Sequence, residues 1–144
     1  MKLTRHTDNA LRCLTLLALE PGRAITVGEI AQRMHMSADH LFKVVGRLAE
    51  LGYVTTTRGR QGGVRLARAA AQIRIGRVVR ETEEDFALVE CFSADETQCP
   101  IAPACVLATS LDRALKAFFG VLDEITLETL VQQPRRLEKL VRNR

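Results

Sequence analysis

The stretch from Thr26 to Leu66 leaves the chain few ways to fold. Thr26-Val-Gly-Glu29 is a capping box: the threonine can accept the third amide of a helix and the glutamate can reach back. The helix it opens runs to Met34, with Ile30 and Ala31 inward. After His35-Met36, Ser37 is a good N-cap for a second helix. There Leu41, Val44, Val45, Leu48 and Leu51 recur at steps of three and four, and Gly52 stops the run. Tyr53 to Thr57 is rich in β-branched residues and reads as a strand. Arg58-Gly-Arg-Gln-Gly-Gly63 is a turn, and Val64 to Leu66 is the returning strand. Two helices joined by a short turn, then a hairpin with arginines at its tip, make a winged helix-turn-helix.

The flanks read as helical. A first helix starts at Thr4 or Thr7 and ends before Pro21-Gly22, with Ala10, Leu11, Leu14, Leu17 and Ala18 at helical spacing. Cys13 falls among them and reads as a small core hydrophobe. Ile73 to Thr82 is another short helix, followed by the apolar run Phe86 to Val89. After Cys105, Leu107, Leu111, Leu115, Phe118, Leu122 and Ile125 mark a long helix. Its narrow stripe suits a helix–helix seam that either closes the monomer or builds a dimer. The tail from Gln132 is polar and is expected to fray. The fold class is mainly α with a small β-hairpin wing. A chain of 144 residues buries roughly 70% of its unfolded surface and needs no metal merely to fold. No run approaches the ~18 apolar residues of a membrane span, and Asp8 and Arg12 interrupt any signal-peptide core. A cytoplasmic protein with no membrane partner is expected.

Charge then points to a partner. From Leu51 to Arg80 there is no Asp or Glu, while Arg58, Arg60, Arg65, Arg68, Arg74, Arg77 and Arg80 all occur. Joined to the winged helix, this run implies double-stranded DNA rather than an idle solvated face. A recognition helix presents its first turns to base edges. That assigns Ser37, Asp39, His40 and Lys43 to the bases, with Arg47 nearer the backbone. Arg58 and Arg60, flanked by glycines, are assigned to phosphates.

Three of the four cysteines, Cys91, Cys99 and Cys105, lie within fifteen residues around Pro100 and Pro103. The prolines disfavour helix, so the thiols share a loop. Structural disulfides are rare in a reducing cytosol. Zinc sites usually contain a closely spaced cysteine pair, which C-x7-C and C-x5-C lack. Three thiolates without a nearby fourth ligand suit an iron–sulfur cluster first, then zinc, then a thiol redox switch. A thiol enzyme would need a base near a thiolate, yet His6, His35 and His40 are all amino-terminal. The chain reads as a non-enzyme.

Several segments together resemble the NsrR/IscR family of winged-helix iron–sulfur regulators, and its nitric-oxide-sensing NsrR-like branch in particular. They are His6-Thr-Asp-Asn-Ala-Leu-Arg12, Arg58-Gly-Arg-Gln-Gly-Gly-Val-Arg-Leu66, Leu88-Val-Glu-Cys-Phe92 and Cys99-Pro-Ile-Ala-Pro-Ala-Cys105. The resemblance implies that Cys91, Cys99 and Cys105 hold a cluster, 4Fe–4S or alternatively 2Fe–2S. It makes Asp8, from the partner subunit of a homodimer, the fourth ligand, with Arg12 as a charged neighbour. IscR-like members use a histidine three residues after the third cysteine, where this chain has Ala108. It further implies a repressor of a palindromic operator that responds to nitric oxide. The sequence is also similar to iron-responsive RirA-like repressors, and a winged-helix protein with structural zinc is a second alternative. The expected organisation is a DNA-binding domain over 1–85, with helix-turn-helix about 26–51 and wing about 53–67. A cluster-binding loop over 86–105, a dimerisation helix over 106–131 and a polar tail over 132–144 follow.

Overall fold

In the computed structural model, which describes residues 2–59, 62–92 and 99–142, the first helix is the axis. Helix α1 (Arg5–Leu19) begins where the Thr4 hydroxyl accepts the Thr7 amide at 3.3 Å. It buries Ala10, Cys13, Leu14 and Leu17, but also Asn9, Leu16 and Leu19. It is thus enclosed on more sides than a single apolar stripe predicts, and Leu11 and Ala18 are only partly buried. Cys13 is fully buried, and that burial pushes its thiol up to about 12. At neutral pH it is a small apolar side chain.

Helix α2 (Val27–Met34) is capped by Thr26, whose hydroxyl accepts the Glu29 amide at 3.1 Å. The Glu29 carboxylate, expected to reach back, pairs with Arg23 at 2.9 Å and Arg33 at 3.2 Å. The helix ends at His35 in a left-handed conformation, φ 52°. Helix α3 (Ala38–Glu50) buries Leu41, Val44, Val45 and Leu48. Ser37 occupies its N-cap position without making a side-chain capping bond, contrary to expectation.

Strands β1 (Val54–Thr57) and β2 (Gly63–Leu66) form an antiparallel hairpin, with Val54 opposite Leu66 and Thr57 opposite Gly63. Ile25 adds an antiparallel bridge to Val64. A side chain on Gly63 would meet the Ile25 backbone at 2.9 Å. This glycine serves the packing of the hairpin.

Helix α4 (Ile75–Thr82) lies against helix α5 (Val106–Glu124). The long helix expected to reach residue 131 stops at Glu124. Ile125 turns extended, its carbonyl accepts the Ile75 amide at 2.9 Å, and the Leu127 amide donates to Ile73 at 2.8 Å. Thr126 then caps a separate short helix, α6 (Leu127–Leu130), which buries Leu127 completely. The polar tail carries a helix of its own. Pro134 opens helix α7 (Pro134–Arg142), which contacts α2 and leaves Leu137 and Val141 half-buried. No helix among the described residues is long and apolar enough to cross a membrane.

One core joins α1 to α4 and the hairpin. Helix α5 sends Phe119 into it, with the Phe86 and Phe118 rings edge-on at 4.7 and 5.3 Å between centroids. Leu115, Phe118, Leu122 and Ile125 lean on that core, whereas Leu107 is 64% exposed. The expected fold class, mainly α with a β-hairpin wing, is present.

Candidate nucleic-acid interface and cysteine site

On α3 the residues opposite the core stripe, Asp39, His40, Lys43 and Arg47, are exposed, as is Ser37 before it. Arg47 is engaged within the chain, donating to Glu50 and to the Glu81 carbonyl, each at 3.3 Å. Phe42 is also exposed, at 62%. It falls outside both the apolar stripe and the polar set read from sequence, and an aromatic off the stripe of its own helix was the signal available. Arg58 is exposed at the hairpin tip beside Gly59, whose φ of 103° requires glycine. Arg60 lies outside the described residues.

The acid-free arginine run is only partly a surface feature. Arg68 donates to the Gly52 and Leu51 carbonyls at 3.0 and 3.3 Å, closing the end of α3 while stacked over Tyr53. Arg74 donates to the Asp123 and Glu124 carbonyls, and so closes the end of α5. Arg77 pairs with Glu81 at 2.8 Å, and Arg80 grips Asp123 through two bonds of 2.6 and 2.7 Å. Among the described residues, Arg58 and Arg65 are left facing solvent without such ties.

These ties make α4 a bridge between α3 and α5. The Tyr53 hydroxyl, just beyond α3, donates to Glu81 at the end of α4. Partial burial acts to raise the Glu81 carboxyl, but hydrogen bonds from Tyr53 and Arg77 outweigh it and hold the group below the usual carboxylate range. Burial and the same carboxylate push the Tyr53 phenol well up. At the other side, Gly76 of α4 sits directly under Asp123 of α5.

The three loop cysteines, Cys91, Cys99 and Cys105, are half-buried. Cys91 lies in a 3-10 turn, Glu90–Phe92, and Cys99 precedes a second, Ala102–Ala104; residues 93–98 between them lie outside the described set. Cys105 is the N-cap of α5, and its sulfur accepts the Ala108 amide at 3.4 Å. Pro100, Ile101, Val106 and Leu107 line a shallow apolar cleft beside it. Asp8, on the first turn of α1, is 59% exposed and accepts from Arg12 at 3.5 Å. The same guanidinium donates to the Met34 carbonyl, the last of α2. Among the described residues no three Cys, His, Asp or Glu side chains form a ready metal-binding group, so neither the three cysteines nor the cysteines with Asp8 are gathered into one. The donor chemistry nevertheless fits an iron–sulfur cluster: three soft sulfurs, one of them already accepting a backbone N–H.

Comparison with known proteins agrees with this architecture. The model of the Rrf2 family, described as iron-dependent transcriptional regulators, matches residues 3–133. The HTH-type transcriptional regulator NsrR of Bacillus subtilis (strain 168) is 48% identical over 143 residues, covering 99% of this chain and 98% of that protein. Among solved structures, T. potens IscR shares the fold, with a TM-score of 0.73 at 24% identity over 96% of this chain and 91% of that one. CymR of B. subtilis, titled the global cysteine regulator, gives a TM-score of 0.70 at 28% identity, covering 90% of this chain and 95% of its own. With a winged helix in place and relatives matched along almost its whole length, the chain belongs to the Rrf2 family of DNA-binding transcriptional regulators.

Proposed function

We propose that this protein is a homodimeric iron–sulfur repressor that occupies a palindromic operator and leaves it in response to nitric oxide. Cys91, Cys99 and Cys105 would hold the cluster, with the partner's Asp8 as the fourth ligand. When bound, the cluster supplies iron that reacts with nitric oxide. The observation that carries the reading is the position of Cys105, whose sulfur caps the helix that α4 ties to the recognition helix. The resemblance of its sequence motifs to the NsrR-like branch adds the nitric oxide signal.

The chain's own residues provide two routes from that site to DNA. On one, Cys105 starts α5, Asp123 near its end grips Arg80 of α4, and the Glu81 carbonyl accepts from Arg47 of α3. On the other, Asp8 and the Met34 carbonyl share one guanidinium, that of Arg12, each through its own terminal nitrogen. Engaging or releasing Asp8 therefore changes the charge beside the turn that aims α3. Ser37, Asp39, His40 and Lys43 would meet bases, while Arg47, Arg58 and Arg60 would meet phosphates. Both the signal and DNA then bias one two-state element, as allostery requires.

The description of the family as iron-dependent favours a second reading, in which loss of iron rather than nitric oxide is the signal. One experiment separates them. Protein purified without oxygen is assayed for iron and sulfide, then titrated with nitric oxide while cluster absorbance and operator binding are followed together. DNA release in step with the absorbance change is expected. Release on iron chelation, with indifference to nitric oxide, would replace the first reading by the second, and colourless protein containing zinc would end both.

A further inference from the structure

Recognition helix α3 carries an aromatic ring that contributes nothing to the core. Phe42 is 62% exposed and is not among the side chains packed against the core, although its helix buries Leu41, Val44, Val45 and Leu48. Ala38, Phe42 and Gly46 stand four residues apart on one exposed strip. A Cβ added to Gly46 would meet nothing within 4 Å, and its backbone is ordinary helix, so neither packing nor conformation asks for glycine. Glycine inside a helix is unfavourable. The strip thus combines a bare position and a raised ring, each disfavoured in an isolated helix.

The neighbourhood limits what meets the ring. His40, Lys43 and Arg47 are exposed on the same helix, and Arg58 and Arg65 on the hairpin. An occupant must be anionic around its edge yet apolar where Phe42 enters. The major groove has this character wherever thymine occurs, with phosphates at the rim and C5-methyl groups on the floor. Asp39, exposed one turn before Phe42, disfavours placing the strip on phosphates and suits a base edge instead. From this juxtaposition we infer that Phe42 is a specificity residue, packing on thymine methyl groups while the bare Gly46 lets α3 sink beside them. The inference rests on the assignment of α3 to DNA.

The test uses full-length protein purified without oxygen, with binding sites selected from randomised duplexes. Each thymine of the selected site is then replaced in turn by deoxyuridine, which removes only the methyl group, and affinity is read by fluorescence anisotropy. Wild-type protein is expected to lose about 3- to 5-fold at one or two thymines per half-site, the worth of one apolar carbon. Phe42→Ala should bind the unmodified site more weakly and be indifferent to those replacements, while Phe42→Leu should keep part of the dependence. The ring is on the surface, so folding is not at stake, and circular dichroism checks it. Unchanged operator affinity in Phe42→Ala would overturn the proposal, as would retained thymine dependence in that variant or wild-type indifference at every thymine. If no sequence is selected at all, the assignment of α3 to DNA falls, and the role of Phe42 with it.

Discussion

At the scale of single residues, Glu81 shows how one carboxylate serves two neighbours. It accepts from the Tyr53 hydroxyl and from Arg77, and so fixes the end of α4 beside the end of α3. Its carboxyl is held below the usual range in the folded protein. A group depressed on folding contributes stability that is present above its unfolded value and is lost as pH falls through its folded one. Glu81→Gln keeps an acceptor for Tyr53 and removes the charge. At neutral pH it is expected to lose about 1 kcal/mol, roughly 2–4 °C in melting temperature for a domain of this size. The gap should close as pH drops below the ordinary carboxylate value of about 4. Thermal melts across that range provide the check, and a gap that persists unchanged into acid would remove the charge from the account.

At the scale of elements, helix α4 is held to α5 by an absence. A Cβ on Gly76 would overlap Asp123 Oδ1 and come within 2.9 Å of its Cγ and 3.0 Å of its amide nitrogen. Gly76→Ala should force the Asp123 side chain off Arg80, with an overpacking penalty of about 1–3 kcal/mol. In an Asp123→Ala background most of that penalty should vanish, because the displaced side chain is already gone. Denaturation midpoints of the four proteins provide the cycle, and an undiminished penalty would place the strain in the backbone instead. The contact also marks the limit of what the sequence discloses. Helix starts were legible because caps are local: Thr26 caps as read and Thr4 is one of the two starts offered for α1, although Ser37 only occupies its position. The end of α5 was not, because Ile125 and Leu127 leave the helix to pair with Ile75 and Ile73, some fifty residues away. The arginine run misled for the same reason, since the carbonyls and carboxylates that engage Arg68, Arg74 and Arg80 are distant or structural. Phe42 and the cysteine spacing were visible as patterns, but exposure and the N–H bond to Cys105 had to come from the fold.

At the scale of the whole molecule, the proposed function requires two chains to share one site. Leu107, Ala114 and Val121 recur every seven residues on α5 and are exposed, the repeat of a two-helix seam. Pairing along that face would cover residues beside Cys105, and the proposed function requires the partner's Asp8 there. Ligation across subunits makes a prediction that ligation within one chain does not. Asp8→Ala leaves every site of a homodimer without its carboxylate, and Cys91→Ala leaves every site without a thiolate. In a mixed dimer of the two, one site combines three cysteines from the first chain with Asp8 from the second. Co-expression with two different tags isolates that heterodimer, and anaerobic absorbance and iron content are expected to show one wild-type-like cluster per dimer. Its nitric oxide response should match wild type, while the second site stays defective. If Asp8 acts on its own chain, neither site of the mixed dimer is whole and no wild-type-like signal returns. That outcome would leave DNA binding by the winged helix standing and remove the shared ligand from the mechanism.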